Sequence, residues 1–350
     1  MSIPILAITL GDPAGIGPEI ALKAMNGVSA RLAEREFALL LVGDPEALDR
    51  AGKVLSIAPP ATVDVDGIAG LTGAAVLPTP SGGSDIRWGE VSAAAGEQAY
   101  QAVALATRLA QDGRITGIVT APLNKEALHL AGHDYAGHTE MLADLTGVRD
   151  SVMMLAHGDF RVSHVSTHCA LADVPSRATP ERIARVVDLT LATLRRLGLS
   201  QPRIAIAALN PHAGEGGIFG RHDIDVTEPL VAAYRARGEA VLGPVPGDTV
   251  FVKLRGGAYD AVIAMYHDQG HIPVKLLGFG VDPETGKWTV LNGVNVTLGL
   301  PIIRTSVDHG TAFDIAGQGI ADETSLIEAI DYALRLARPD AGQAAAEGQA

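Results

Sequence analysis

Short, unbroken apolar runs recur along the chain and end at Gly, Pro or Asp: residues 3–10, 37–42, 115–120, 203–209 and 260–264. Runs of this kind, rich in Val, Ile and Leu, predict strands buried on both faces. Other segments carry apolar residues at helical spacing: 90–112 (rich in Ala), 180–197, 227–237 and a closing helix over about 323–338. A hairpin is predicted around Gly158-Asp159, joining 151–156 to 161–165, with further strands at 294–298 and 301–304. Residues 54–87 hold short β-like pieces and no readable motif. The alternation predicts an α/β protein with mostly parallel strands. No linker divides the chain, so two domains would be interleaved, the C-terminal part returning to the first.

Polar residues collect where the runs stop, and strand ends are where α/β proteins place their chemistry. The richest stretch is 265–275, which carries His267, Asp268, His271 and Lys275 directly after the run 260–264. Thr167-His168-Cys169-Ala170 follows the hairpin, and Asn210-Pro211-His212-Ala213-Gly214-Glu215 opens a glycine-rich loop after 203–209. A single His after a strand is more often a hydrogen-bonded polar residue than a ligand. Three of them, with Asn210, Asp248 and Asp268 as neighbours able to orient a ring, point to one divalent metal on His168, His212 and His267. His271 is the lesser competitor for His267, and Cys169 reads as a small buried residue. Such a site serves either hydrolysis by an activated water or hydride transfer from an alcohol. The H-E-x-x-H pattern of a zinc hydrolase is absent, and hydride transfer requires a dinucleotide site.

Gly11-Asp12-Pro13-Ala14-Gly15-Ile16-Gly17-Pro18-Glu19 joins the first run to a helix with Pro18 in its first turn. Such a turn lets backbone approach an anion. The spacing is not G-x-G-x-x-G, however, and a plain tight turn is an equal reading. Gly137-His138-Thr139-Glu140 starts another helix, where His138 and Thr139 suit either capping or contact with phosphate or carboxylate.

The 350 residues are 47% apolar but 4% aromatic, so Ala, Val, Leu and Ile must fill the cores. A net charge of −13 argues against a general nucleic-acid surface while leaving room for a small anionic substrate. The single cysteine excludes an intramolecular disulfide. The opening apolar run stops far short of a membrane span and lacks a basic n-region, so it reads as a strand and the cytoplasm is the expected location.

The motifs at residues 10–19, 137–140, 210–215 and 266–269, with the run 294–317, resemble the 4-hydroxythreonine-4-phosphate dehydrogenase family of pyridoxal-phosphate biosynthesis. They occur in that family's order from residue 9 to about 320. The turn at 15–19 and the loop 309–319 are also similar to the isocitrate and isopropylmalate dehydrogenases. The resemblance implies an isocitrate/isopropylmalate dehydrogenase-like fold: two interleaved α/β domains, with the active site in the cleft. One domain would be 1–135 plus 305–338, the other 136–304 with the metal and most substrate residues, and 339–350 a disordered tail.

The resemblance also implies NAD or NADP as cofactor, held by His309, Gly310, Thr311, Ala312 and Asp314. It implies one divalent ion (Zn, Mg, Mn, Co or Ni) on His168, His212 and His267, with ligands drawn from both subunits of a homodimer. Substrate contacts fall on His138, Thr139, Lys275, Asn295 and Arg304, and Asp248 and Asp268 match acidic residues near the metal. Lys275, Asp248 and Asp268 are the catalytic candidates. The implied reaction is oxidation of the C3 hydroxyl of 4-hydroxythreonine 4-phosphate, followed by decarboxylation of the β-keto acid. Residues 281–293 read as an insertion between two substrate contacts. That keeps open 4-phosphothreonate, 4-phosphoerythronate or a cyclohexadiene diol carboxylate as substrate. A metal-dependent hydrolase and a sugar-acid binding protein are the rival classes; neither nucleic acid nor membrane is an expected partner.

Overall fold

The computed structural model describes residues 3–80, 85–284, 286 and 288–338. The tail expected to be disordered, 339–350, lies outside the described residues, as do Thr285 and Lys287 in the expected insertion. The chain begins with β1 (Ile5–Thr9), α1 (Gly17–Gly27), α2 (Ser29–Ala33), β2 (Ala38–Gly43), α3 (Pro45–Leu55) and β3 (Gly73–Pro78). Next come α4 (Ala93–Gln111), β4 (Gly117–Thr120), α5 (Lys125–Leu130), α6 (His138–Thr146), β5 (Val152–His157), β6 (Phe160–His164), α7 (Val174–Arg177) and α8 (Pro180–Arg196). Then follow β7 (Ile204–Ala207), α9 (Glu228–Ala236), β8 (Val241–Val245), α10 (Gly247–Arg255), β9 (Ala261–Ala264) and α11 (His267–Gly278). The last are β10 (Phe279–Val281), β11 (Trp288–Leu291), β12 (Val294–Leu298), β13 (Ile303–Val307) and α12 (Thr324–Ala337).

Contacts gather these into two compact units, one up to Ser151 together with Val290–Ala337, the other Val152–Thr289. In the first, the strands run β3-β2-β1-β4-β13-β12, parallel except for β12. Every residue of β2 is buried, as an unbroken apolar run requires. Ala7, Leu40 and Val42 share a core cluster with Ala102 and Ala106 of α4. Ser92 caps α4 by accepting from the Ala95 N–H at 3.2 Å, which settles where the Ala-rich segment begins.

In the second unit the strands run β5-β6-β9-β7-β8, with β5 and β6 the expected antiparallel hairpin and the rest parallel. Val162, Ala205, Ala207, Val262 and Ala264 form a core with Val250 and Leu254 of α10 and Val274 of α11. Residues 281–293 contribute to a small hairpin of β10 and β11.

The chain leaves the first unit after Ser151 and returns to it at Val290. Met141 and Leu142 of α6 pack with Val103 and Leu128 of the first unit. β12 pairs with β13, which pairs with β4. His138, Thr139, Asn295 and Arg304 therefore belong to the first unit, not to the second.

Candidate active site

In the first unit, Arg304 sits on β13, 2% exposed, and burial pulls its pKa down to about 9 against the opposing pull of Glu140. Its Nη1 donates to Thr297 Oγ1 at 2.9 Å and its Nη2 to Thr120 Oγ1 at 2.7 Å. Among the described residues, no carboxylate pairs with it at ion-pair distance, and its Nε has no partner. A buried cation held by two neutral hydroxyls is costly and stands ready for an anion. His138 opens α6 beside it, and burial, then the charge of Arg304, holds its imidazole well below the usual pKa. His138 is therefore neutral, and its Nε2 is also buried without a partner, as is Asn295 Oδ1. Three of the residues expected to touch substrate each keep an unsatisfied buried polar atom, a state that costs roughly 1–3 kcal/mol per group. Thr139 occupies the first turn of α6, where Gly137 precedes it with no side-chain cap, so backbone N–H groups are free to meet an anion.

The expected nucleotide loop is seated on the N-terminal turn. The Ile16 N–H donates to Thr311 O at 3.0 Å, and a side chain at Gly15 would meet that same carbonyl at 2.8 Å. Only glycine permits this approach. Glu19, fully buried in α1, accepts from the backbone N–H of Gly317, and from that of Gly319 at 2.8 Å. His309, Thr311 and Ala312 are half-buried, Gly310 and Asp314 exposed, and a Cβ at Gly310 would face open space. Asp12, in the same turn, is wholly buried; its Oδ1 accepts from the Ala14 N–H at 2.8 Å and its Oδ2 has no partner. Burial pushes its pKa up to about 6.

The second unit holds the three histidines. The rings of His168 and His267 lie 5.9 Å apart between centroids. Two imidazoles sharing one ion at about 2.0–2.1 Å would have centroids on the order of 5–6 Å apart, so this pair fits a common metal. The Nδ1–H of His267 donates to Asp268 Oδ1 at 2.7 Å, leaving the Nε2 lone pair for coordination. His212 lies in a glycine-rich loop at φ 51°, and lines a cleft of about 540 Å³ together with Asn210, Asp248, Asp268 and Ile272. Among the described residues, no group of three His, Cys, Asp or Glu is close enough to hold a metal. One chain thus brings His168 to His267 and sets His212 beside Asp248 and Asp268.

The amide nitrogen of Asn210 turns to an acid: Nδ2 donates to Asp223 Oδ2 at 2.9 Å. The fully buried Asp223 also accepts from the N–H groups of Leu209 and Asn210 at 2.8 and 3.0 Å. Cys169 is half-buried rather than buried. Lys275 lies over the face of Phe279, 4.9 Å from its centroid, and the rings of Phe279 and Trp288 meet in a T-shaped pair at 5.8 Å. Thr120, Thr297 and Asp223 carry no sequence motif of their own, because each acts on a residue outside its own element. Gln269 accepts from the Met265 N–H at 2.6 Å and donates to Ala208 O at 2.8 Å, tying the start of α11 to the end of β7.

The chain has the isocitrate/isopropylmalate dehydrogenase-like fold of a dehydrogenase. A dehydrogenase of Klebsiella pneumoniae, described as 4-hydroxythreonine-4-phosphate dehydrogenase, superposes with a TM-score of 0.82 at 43% identity, covering 97% of this chain and 99% of its own. The chain belongs to the family described as pyridoxal phosphate biosynthetic protein PdxA, whose profile matches residues 35–333. A relative from Bradyrhizobium diazoefficiens, named "Putative D-threonate 4-phosphate dehydrogenase", is 62% identical over 335 residues, 95% of this chain and 96% of that one. The 4-hydroxythreonine-4-phosphate dehydrogenase of Beijerinckia indica is 46% identical over 342 residues, 95% of each. No helix among the described residues is long and apolar enough to cross a membrane.

Proposed function

We propose that this chain oxidises the C3 hydroxyl of D-threonate 4-phosphate with NAD+ or NADP+, and that the resulting β-keto acid then loses CO2 to leave a three-carbon ketone phosphate. The observation that carries an anionic substrate is Arg304, buried without a carboxylate, beside a neutral His138 and the unsatisfied Oδ1 of Asn295. The choice of threonate follows the 62% identity to the Bradyrhizobium protein of that name.

Arg304 holds the phosphate or carboxylate through Nε, while Thr120 and Thr297 keep its other nitrogens in place. His138 and Thr139 at the start of α6 take the same or a neighbouring anionic group. His168, His212 and His267 would hold the divalent ion, and the loop His309–Asp314 the nucleotide. When bound, the metal supplies Lewis-acid stabilisation of oxygen charge and the nicotinamide accepts the hydride. Asp268 fixes the tautomer of His267 through Nδ1. Lys275 either moves the proton taken up at C2 once CO2 has left or pairs with a substrate anion, and Asp248 supports the metal side of the cleft.

The ligand set is completed between two copies of the chain. Ile272 and Leu276, exposed on one face of α11, and the exposed Val252 and Trp288 offer apolar surface for the second copy. The cytoplasm, which supplies NAD+ and NADP+, is the location this reading takes. The second reading, 4-hydroxythreonine 4-phosphate, is favoured by the 46% identical Beijerinckia relative.

A panel of both substrates with NAD+ or NADP+ and Zn2+, Mg2+, Mn2+, Co2+ or Ni2+, followed by NADH or NADPH absorbance, separates the readings. Turnover confined to 4-hydroxythreonine 4-phosphate selects the second. No reduction with either substrate, together with phosphate release, would instead identify a hydrolase.

A further inference from the structure

We infer that His271 is a positioning residue for His267, fixing that imidazole by ring stacking and by a hydrogen bond to the backbone of the residue it supports. The inference rests on reading His267 as a metal ligand. His267 is the first residue of α11 and its side chain is 39% exposed, so one turn of helix must hold it from a single side. His271 stands four residues on, on the same helical face. The two rings lie 3.6 Å apart between centroids and 11° from parallel. The Nδ1–H of His271 donates to the His267 carbonyl oxygen at 2.9 Å, which sets the tilt of the stacking ring itself.

His271 is in turn backed from the interior. It is 8% exposed, and the ring of His164, fully buried on β6, meets it at 4.7 Å and 53°. That packing depends on Gly270, where a Cβ would collide with His164 Nε2. Helix α11 therefore gives up a side chain at its fourth residue so that a buried imidazole can brace the one behind the ligand. Asp268 governs rotation of the His267 ring through Nδ1, and His271 governs its tilt. A residue serving only to fill the core would require neither a near-parallel ring nor a bond to the His267 carbonyl.

The test is calorimetric titration of the metal-free full-length protein with Zn2+ and with Co2+, alongside circular dichroism and thermal melting. Wild type is expected to bind, and His267→Ala to lose that binding. His271→Leu removes both ring and donor; it is expected to fall about 10- to 100-fold in metal affinity, the range typical of residues that orient a ligand. His271→Phe keeps the stacked ring and is expected to recover most of that loss. Should the Leu variant not fold, His271→Gln, which keeps an N–H donor but has no ring, replaces it, with a loss expected toward the roughly 10-fold end of that range. Unchanged affinity in His271→Leu or His271→Gln, with the wild type binding through His267, overturns the positioning role alone. Unchanged affinity in His267→Ala overturns the ligand assignment, and the inference falls with it.

Discussion

Glu19 takes the backbone N–H groups of both Gly317 and Gly319 on its two carboxylate oxygens, so a residue of the first helix holds the end of a loop some three hundred residues later. The glycine-rich turn at 11–19 is thus a seat for the expected nucleotide loop. Glu19→Gln has one acceptor oxygen in place of two and leaves a buried N–H unpaired. Its expected cost is about 1–3 kcal/mol of stability, with a raised KM for the nicotinamide cofactor and little change in KM for the phosphorylated substrate. Chemical denaturation and steady-state kinetics measure both; an unchanged cofactor KM would break the link between this carboxylate and the loop.

Arg304 separates stability from activity. Arg304→Met replaces a buried cation that has no carboxylate partner with an apolar side chain of similar length. The fold is expected to be as stable as wild type or more so, while KM for the phosphorylated substrate rises by on the order of 100-fold. Arg304→Lys keeps the charge, but a single ammonium cannot reproduce the planar fork that spans Thr120 and Thr297, so it is expected to rescue KM only partly. Melting curves beside substrate titrations decide; a strong loss of stability in Arg304→Met would mean that the guanidinium is a structural strut.

Asp12 gives the fold a signed dependence on pH. Its folded pKa is about 6 against an ordinary value of 3.8, raised by burial. A raised pKa means that the folded state binds the proton more tightly than the unfolded chain does. The associated stability is present below pH 3.8 and is lost as pH rises through about 6. Asp12→Asn keeps the oxygen that receives the Ala14 N–H and carries no charge. It is expected to stabilise the protein at pH 8 by on the order of 1–3 kcal/mol and to have little effect at pH 4. Urea melts at the two values test this; equal effects at both would rule out titration of Asp12 as the cause.

Phe279 and Trp288 carry the third side of Lys275. The ring face of Phe279 lies under the ammonium, and Trp288, from the far strand of the β10–β11 hairpin, steadies that ring in a T-shaped pair. Phe279→Leu is expected to lower kcat/KM about two- to fivefold, the worth of one cation–π contact, while Phe279→Trp preserves it. Trp288→Leu should act in the same direction more weakly. If neither moves the kinetics, the segment 281–293 bears on catalysis by some route other than Lys275.

Much of this architecture is legible in the sequence, because strands buried on both faces read as unbroken apolar runs: β1, β2, β4, β7 and β9 fall where those runs lie. α3 escaped notice although it carries a start signal, since Asp44 caps it by accepting from the Glu46 N–H and Pro45 opens it. In the sequence the same residues mark the end of β2. α11 escaped for a different reason: Gly270 and Pro273 lie inside it and depress any helical pattern, and the need for Gly270 comes from His164 on another element. The candidate site divides the same way. His138 is legible at a helix start, whereas Asn295 and Arg304 stand out only through the family resemblance. Thr120 and Thr297, which hold Arg304, are unremarkable strand threonines until β4, β12 and β13 come together.

The order of strands in the first unit also bears on how the chain is made. β4 pairs with β1 on one side and β13 on the other, and β13 follows only after the whole second unit has been synthesised. A chain emerging from the ribosome therefore exposes the open edge of β4, a row of unpaired backbone groups, while Val152–Thr289, one continuous segment, already has all its residues and can fold. The second unit is in effect an insertion completed before its host. Chains truncated before Ile303 should consequently present a sticky, aggregation-prone β4 edge, whereas the segment 152–289 is the part of the protein best suited to fold first.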